Sequence, residues 1–186
     1  MTAEQSRTLL QGPDLQRLKG RRDEAILALL LGCGLRRGEV AALRLADLHQ
    51  REEHWVIVDL IGKAAHIRTM PVPDRVKSAI EARIRSAAIA DGRLFRCSRM
   101  GTIWGDGITE KVIWHVVKDT SAKVGIPKIS PHDCRRTCAR LCHAAGANLS
   151  RSSSYWGTFR WKQAERYLGC KQRLRAAVND RIGLEP

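Results

Sequence analysis

The sequence predicts an α+β fold, mainly α-helical with a small antiparallel β-sheet at one edge. Three observations lead there. Apolar residues recur at helical spacing in successive segments, two runs rich in β-branched residues interrupt them, and glycine or proline punctuates the joins. With 186 residues and 44% hydrophobic content, the chain can bury one ordinary core, so residues 1–186 are read as one domain.

The elements follow in order. Residues 23–33 carry Ala25, Ile26, Ala28, Leu29, Leu30 and Leu31, apolar nearly all round, and run into Gly32, Cys33 and Gly34. This is a buried helix stopped by glycine. Residues 37–45 place Val40, Ala41, Leu43 and Leu45 at helical spacing, with Gly34 making the turn before Arg36. An arginine at such a helix start is held by rigid backbone. Residues 54–61 read as a strand and 65–72 as a second extended run, interrupted by Pro71 and Pro73. Together they make a hairpin with Lys63 at its turn. Residues 74–90 set Val76, Ile80 and Ile84 among basic residues, 108–124 repeat Ile113, Val116 and Val117, and 131–145 complete a further helix. Finally, 173–182 present Leu174, Val178 and Ile182 in one stripe, which docks in its own domain or in a neighbour's.

Charge narrows the function. Lys and Arg number 33 against 19 Asp and Glu, a net charge of +14, so an acidic polymer is the natural partner and nucleic acid fits best. RNA-coating proteins usually gather such charge in tails, whereas here it is interleaved with core positions. No apolar run approaches the roughly 20 residues that span a bilayer. The N-terminus lacks the basic and apolar regions of a signal peptide, so a cytoplasmic location is expected, with the six cysteines as thiols. Cys134, Cys138 and Cys142 repeat every four residues near His132 and His143, but on one helix the outer two stand roughly 12 Å apart, too far for one tetrahedral ion. They are expected as small apolar residues on a buried face. Neither metal nor cofactor is expected.

The chemistry resides in five separated residues: Arg36 in Gly34-Leu35-Arg36-Arg37-Gly38-Glu39, Lys63 after Gly62, His132 and Arg135 in His132-Asp133-Cys134-Arg135, and Tyr167 in Arg166-Tyr167-Leu168-Gly169. Each motif alone is common in proteins. Their order, separations and segment types resemble the tyrosine recombinase (phage integrase) family over nearly the whole chain. The resemblance implies the catalytic-domain fold of DNA breaking-rejoining enzymes and site-specific recombination or integration through a 3′-phosphotyrosine.

In that chemistry Arg36 and Arg135 hold the non-bridging oxygens with paired donors, for which lysine's point charge is no substitute. Tyr167 attacks phosphorus and Lys63 protonates the leaving 5′ oxygen, while His132 assists proton transfer or holds phosphate. Glu39 braces its own helix turn or an arginine. Arg68 is the runner-up cation beside Lys63, and Arg37, Arg68, Arg136 and Arg140 are expected to contact DNA. The implied partner is double-stranded DNA, with oligomerisation into a tetrameric synapse. Alternatives from other classes are a non-catalytic DNA-binding remnant, a type IB topoisomerase-like strand relaxer and a basic RNA-binding protein.

The sequence departs from the family pattern at residues 148–163. A final histidine or tryptophan is expected nine positions before the tyrosine, and here that position is Thr158. The surrounding stretch has three consecutive serines and no helical stripe. One choice of codons for residues 148–161, read from the third base of the first, encodes Leu-Glu-Gln-Ile-Gln-Phe-Leu-Leu-Gly-His-Val-Ser-Val, which restores the pattern. Two compensating single-base changes would therefore produce this segment. The expected consequence is weak or absent strand exchange; a divergent site built on Tyr155, Trp156 or Trp161 is the less favoured alternative. The short stretch before Asp23 further suggests a catalytic domain without the family's N-terminal DNA-clamping domain.

Overall fold

The computed structural model describes residues 1–51, 54–61, 67–99, 102–126, 128–145 and 183. Lys63, the anomalous segment 148–163 with Thr158, Tyr167 and the helix expected at 173–182 lie outside the described residues.

Helix α1, Ala3–Gln11, begins with a capping box: the Thr2 hydroxyl accepts the Gln5 N–H at 3.1 Å, and the Gln5 side chain accepts the Thr2 N–H at 2.9 Å. Its Leu9 and Leu10 enter the core. Helix α2, Leu18–Ala28, is buried from Arg22 onward and continues into a wider π-helical turn, Leu29–Cys33. That turn ends at Gly34 in the left-handed conformation, φ 57° and ψ 35°, where the missing Cβ removes the steric penalty. Gly32, inside the turn, has a second reason to be glycine. A Cβ there would stand 2.4 Å from Val76 Cγ2, in the next helix to pack against it.

Helix α3, Arg37–Ala42, is shorter than its apolar spacing predicts. The chain leaves it at Leu43 because tertiary hydrogen bonds take over: the Leu43 carbonyl accepts Leu94 N–H at 2.9 Å, and Leu45 N–H donates to the Gly92 carbonyl at 2.9 Å. A 3-10 turn, Leu45–Asp47, then leads into β1, Leu48–Arg51. Strands β2, His54–Ile61, and β3, Ile67–Val72, complete an antiparallel sheet in the order β1-β2-β3. Its register shifts between Ile57 and Leu60, where Asp59 adopts φ 53°.

Helix α4, Asp74–Ser86, packs on α2 through Val76, Ala79 and Ile80. A short hairpin, β4 (Cys97–Arg99) and β5 (Thr102–Trp104), precedes α5, Glu110–Lys123, whose Ile113, Val116 and Val117 are buried as their spacing predicts. Helix α6, Pro131–Ala144, lies against the π turn. The result is the expected α+β architecture, mainly helical with a small three-stranded antiparallel sheet and a separate two-stranded hairpin among the described residues. The π turn that continues α2 touches α3, β3 and α6, the elements that carry the described candidate site residues. Among the described residues, no helix is long and apolar enough to cross a membrane.

Candidate functional site

The left-handed Gly34 redirects the backbone so that Leu35 turns into the core and Arg36 stands at the N-terminus of α3 with extended dihedrals, φ −77° and ψ 155°. Three residues on, Glu39 folds back over this helix start. Its Oε2 accepts the Arg36 backbone N–H at 2.7 Å, and its Oε1 accepts Arg36 Nη1 at 2.8 Å. The same Oε2 accepts Arg68 Nη2, from β3, at 2.8 Å. One carboxylate therefore fixes two guanidinium groups. Burial works to raise the Glu39 pKa, but the hydrogen bonds from Arg68 and from the Arg36 backbone and side chain outweigh it and hold the carboxyl below its ordinary range.

Arg135 arrives from α6. The helix starts with Pro131, suited to a first helical position, and with a reciprocal cap in which Asp133 Oδ2 accepts the Ser130 hydroxyl at 2.6 Å and the Ser130 N–H at 3.1 Å. The Ser130 hydroxyl holds the Asp133 carboxyl below its ordinary pKa. This start turns His132 to solvent and sends Arg135 toward the π turn, where its Nη1 donates to the Gly34 carbonyl. Burial, then the nearby Arg36 charge, push the Arg135 pKa down to about 10, with Glu39 opposing and Arg68 adding to the repulsion. Arg36, Arg68 and Arg135 thus gather around a single carboxylate, leaving a formal surplus of two positive charges. Such a cluster is suited to a phosphate and to the extra charge that builds on it during displacement.

Residues 1–167 of the chain match the model of the phage integrase family. The chain belongs to that family. It is similar to tyrosine recombinase XerD of Pseudomonas putida, 32% identical over 148 residues, which cover 76% of this chain and 47% of XerD. Tyrosine recombinase XerA of Pyrococcus furiosus is 30% identical over 118 residues, covering 63% of this chain and 40% of that protein. The chain spans about half the length of the curated relatives it matches. Among solved structures, XerA recombinase superposes with a TM-score of 0.70 at 18% identity, over 92% of this chain and 60% of that one. The integrase from mycobacterium phage Brujita gives 0.70 at 18% identity, over 98% and 57%. The post-cleavage complex of XerH site-specific recombinase bound to palindromic difH gives 0.69 at 16%, over 89% and 46%. These likenesses show the fold.

Within this integrase-family fold, the structure brings together Arg36, Glu39, Arg68 and Arg135 and leaves His132 exposed one helical turn before Arg135. Strands β2 and β3 flank residues 62–66, which include Lys63, so the strand leading away from that segment is the one that carries Arg68. Of the residues expected to contact DNA, Arg37 is half-exposed and pairs with Glu110 at 3.5 Å, Arg136 is exposed, and Arg140 is exposed with a hydrogen bond to the Met1 carbonyl. Arg68 differs from these. Its side chain is 6% exposed and bound to Glu39.

Two contributors escaped the sequence reading. The Gly34 carbonyl is a backbone acceptor and leaves no side-chain signature, whereas the Ser130/Asp133 cap was readable as a serine followed three residues later by an acid. Cys134, Cys138 and Cys142 face the core as expected, at 0%, 0% and 2% exposure. Burial pushes the Cys134 thiol up to about 12 and raises Cys138 as well, so both are protonated small residues at neutral pH. Cys138 Sγ donates to the Gly32 carbonyl at 3.5 Å, a second link between α6 and the π turn.

Proposed function

We propose that this chain is the DNA-cleaving portion of a site-specific recombinase, cutting and rejoining duplex DNA through a 3′-phosphotyrosine at Tyr167. The observation that supports this best is the meeting of Arg36 and Arg135, 99 positions apart in the sequence, at one backbone turn and around one buried carboxylate. In the reaction the Tyr167 phenolic oxygen bonds to phosphorus and the bond from phosphorus to the 5′ oxygen breaks. Arg36 and Arg135 hold the non-bridging oxygens as their charge grows, Lys63 delivers a proton to the departing 5′ oxygen, and His132 aids proton transfer or holds phosphate. The phosphotyrosine retains the energy of the broken strand, and reversal of the same steps reseals it. Arg37, Arg136 and Arg140 contact the DNA backbone around the cut.

XerH, a relative in fold, is a site-specific recombinase seen bound to its difH substrate before and after cleavage, which favours duplex DNA as the partner here. Assembly of four copies on two DNA sites and a cytoplasmic location belong to the same reading. A non-catalytic DNA-binding remnant is the second reading, favoured by Thr158 at the position where a histidine or tryptophan donor is expected. Incubation with duplex DNA from the source genome, followed by denaturation in detergent, separates the two. A covalent DNA adduct formed by the wild type and absent from Tyr167→Phe supports the recombinase; binding by both proteins with no adduct from either supports the remnant.

A further inference from the structure

We propose that Arg68 is a positioning residue that acts through Glu39 to orient Arg36, and that it ties the strand following Lys63 to the arginine cluster. The role for Arg36 rests on the recombinase reading. The geometry begins with Glu39 Oε2, which accepts both the Arg36 backbone N–H at 2.7 Å and Arg68 Nη2 at 2.8 Å, while Oε1 accepts Arg36 Nη1. Without Arg68, the carboxylate keeps only its two bonds to Arg36 and can exchange its oxygens between the backbone N–H and the guanidinium. With Arg68 on Oε2, Oε1 is committed to Arg36 Nη1. Reach across the fold adds a second effect, because Arg68 lies in β3, 29 residues from Glu39, and pairs with Leu60 of β2. Its ion pair is therefore a tether between the sheet and α3.

Stability alone is a poor account of this arginine. Its Nε and Nη1 are buried with no hydrogen-bond partner among the described residues. An unsatisfied buried donor weakens a fold, and a buried ion pair is often no more stabilising than apolar side chains of similar volume. A bulky apolar residue at position 68 would fill the space without those orphaned donors, but it would leave Glu39 held by Arg36 alone. What arginine adds is direction: a rigid fork whose Nη2 fixes the plane of the carboxylate. Lysine, a rotatable point charge, supplies the charge without that direction.

The test uses the whole chain labelled with nitrogen-15, with the Arg36 Nε–H resonance as the reporter of order and orthovanadate as a five-coordinate phosphate mimic. Arg68→Met is expected to broaden the Arg36 Nε–H signal and to weaken vanadate binding about tenfold or more, as for loss of one charge-assisted hydrogen bond. The core amide spectrum should persist. Arg68→Lys keeps the charge that Glu39 requires and serves where Arg68→Met fails to fold; it should change both readouts in the same direction by less. A folded Arg68→Lys or Arg68→Met protein with wild-type Arg36 order and vanadate affinity overturns the positioning role. A wild-type chain that binds no vanadate, yet whose Arg36 signal depends on Arg68, overturns the phosphate-site reading and leaves the positioning role standing.

Discussion

Arg135 donates through Nη1 to the carbonyl of Gly34, so the second arginine of the site is anchored on the residue whose left-handed backbone presents the first. Gly34 thus serves both arginines with its backbone alone. Any L side chain there meets the steric penalty of positive φ, about 1–2 kcal/mol. Gly34→Ala should lower the melting temperature by roughly 2–8 °C, taking about 2–4 °C per kcal/mol for a chain of this size. The shifted carbonyl should also loosen Arg135, so any DNA adduct should fall by more than the loss of folded protein accounts for. Thermal melting and adduct yield, measured on the same samples, check both parts; equal melting in the two proteins would show that the turn tolerates a Cβ.

Glu39 gives the site an acid-sensitive joint. Its folded pKa lies below the ordinary glutamate value of 4.5, so its contribution to stability is complete above that value and is lost as pH falls toward and through the lowered one. Glu39→Gln should remove this part of the pH dependence. At neutral pH the substitution leaves Arg36 and Arg68 facing each other with no anion between them, a loss of about 3 kcal/mol by the measure of other broken buried pairs. Urea unfolding at several pH values is the measurement. The wild type and the variant should differ most at neutral pH and converge under acid; a constant difference would show that folding leaves the Glu39 pKa unchanged.

Arg83 offers the opposite expectation. It lies in α4 at 0% exposure, its three guanidinium nitrogens have no hydrogen-bond partner among the described residues, and burial together with the Arg22 charge pushes its pKa down to about 10. The neighbouring Asp23 keeps Arg22 at 2.8 Å and Lys19 at 2.7 Å without it. Arg83→Met should therefore be neutral or stabilising, by up to about 4 kcal/mol, because it removes a buried charge and strands no partner. Equilibrium unfolding decides it: a clear loss of stability would mean that Arg83 has a partner in the folded protein.

The contrast between Arg36 and Arg68 shows what the sequence carried. Arg36 was legible because Gly-Leu-Arg precedes an apolar helical stripe, and local turn chemistry places the side chain. Arg68 read as a runner-up cation beside Lys63 and a DNA contact, with no sign of its burial, because that burial depends on Glu39, a partner 29 residues away that no local pattern names. The same distinction governs the elements. Helix α2, the β2 and β3 strands, and helices α4 to α6 bury stripes of their own and were visible. Strand β1, Leu48-His49-Gln50-Arg51, is half-buried to exposed along its length and owes its form to pairing with β2, while β4 and β5 are three residues each, too short for any period to show. Helix α1 brings only Leu9, Leu10 and Ser6 inward, a weak stripe whose clearest signal was its Thr2/Gln5 cap.

The charge of +14 should make duplex binding strongly dependent on salt, since each phosphate contact releases a counterion. If 6 to 10 phosphates are contacted, affinity should fall by about a thousandfold or more between 50 and 200 mM salt. Arg136→Ala should flatten the dependence by about one contact. Fluorescence anisotropy on a labelled duplex measures both. Tyr167→Phe should leave the salt dependence unchanged, because it removes a hydroxyl and no charge.

The segment 148–163 permits a repair experiment. Thr158 retains one neutral donor at the position where a histidine is expected, and the loss of single donors to a developing oxyanion elsewhere costs about 100- to 1,000-fold in rate. Thr158→His alone restores that donor but not the apolar helix the shifted reading encodes, so it should recover only part of any lost activity. Replacing residues 149–161 with Leu-Glu-Gln-Ile-Gln-Phe-Leu-Leu-Gly-His-Val-Ser-Val should recover more, because the sequence before Tyr167 would regain the apolar pattern expected of a helix. Adduct yields for the wild type, the single substitution and the replaced segment should rise in that order. Sequencing the coding DNA supplies an independent check, since a damaged reading frame must contain the codons for the repaired helix one base away. A frame without them, together with an adduct formed by the wild type and diminished by the replacement, would mark the present segment as a working divergence.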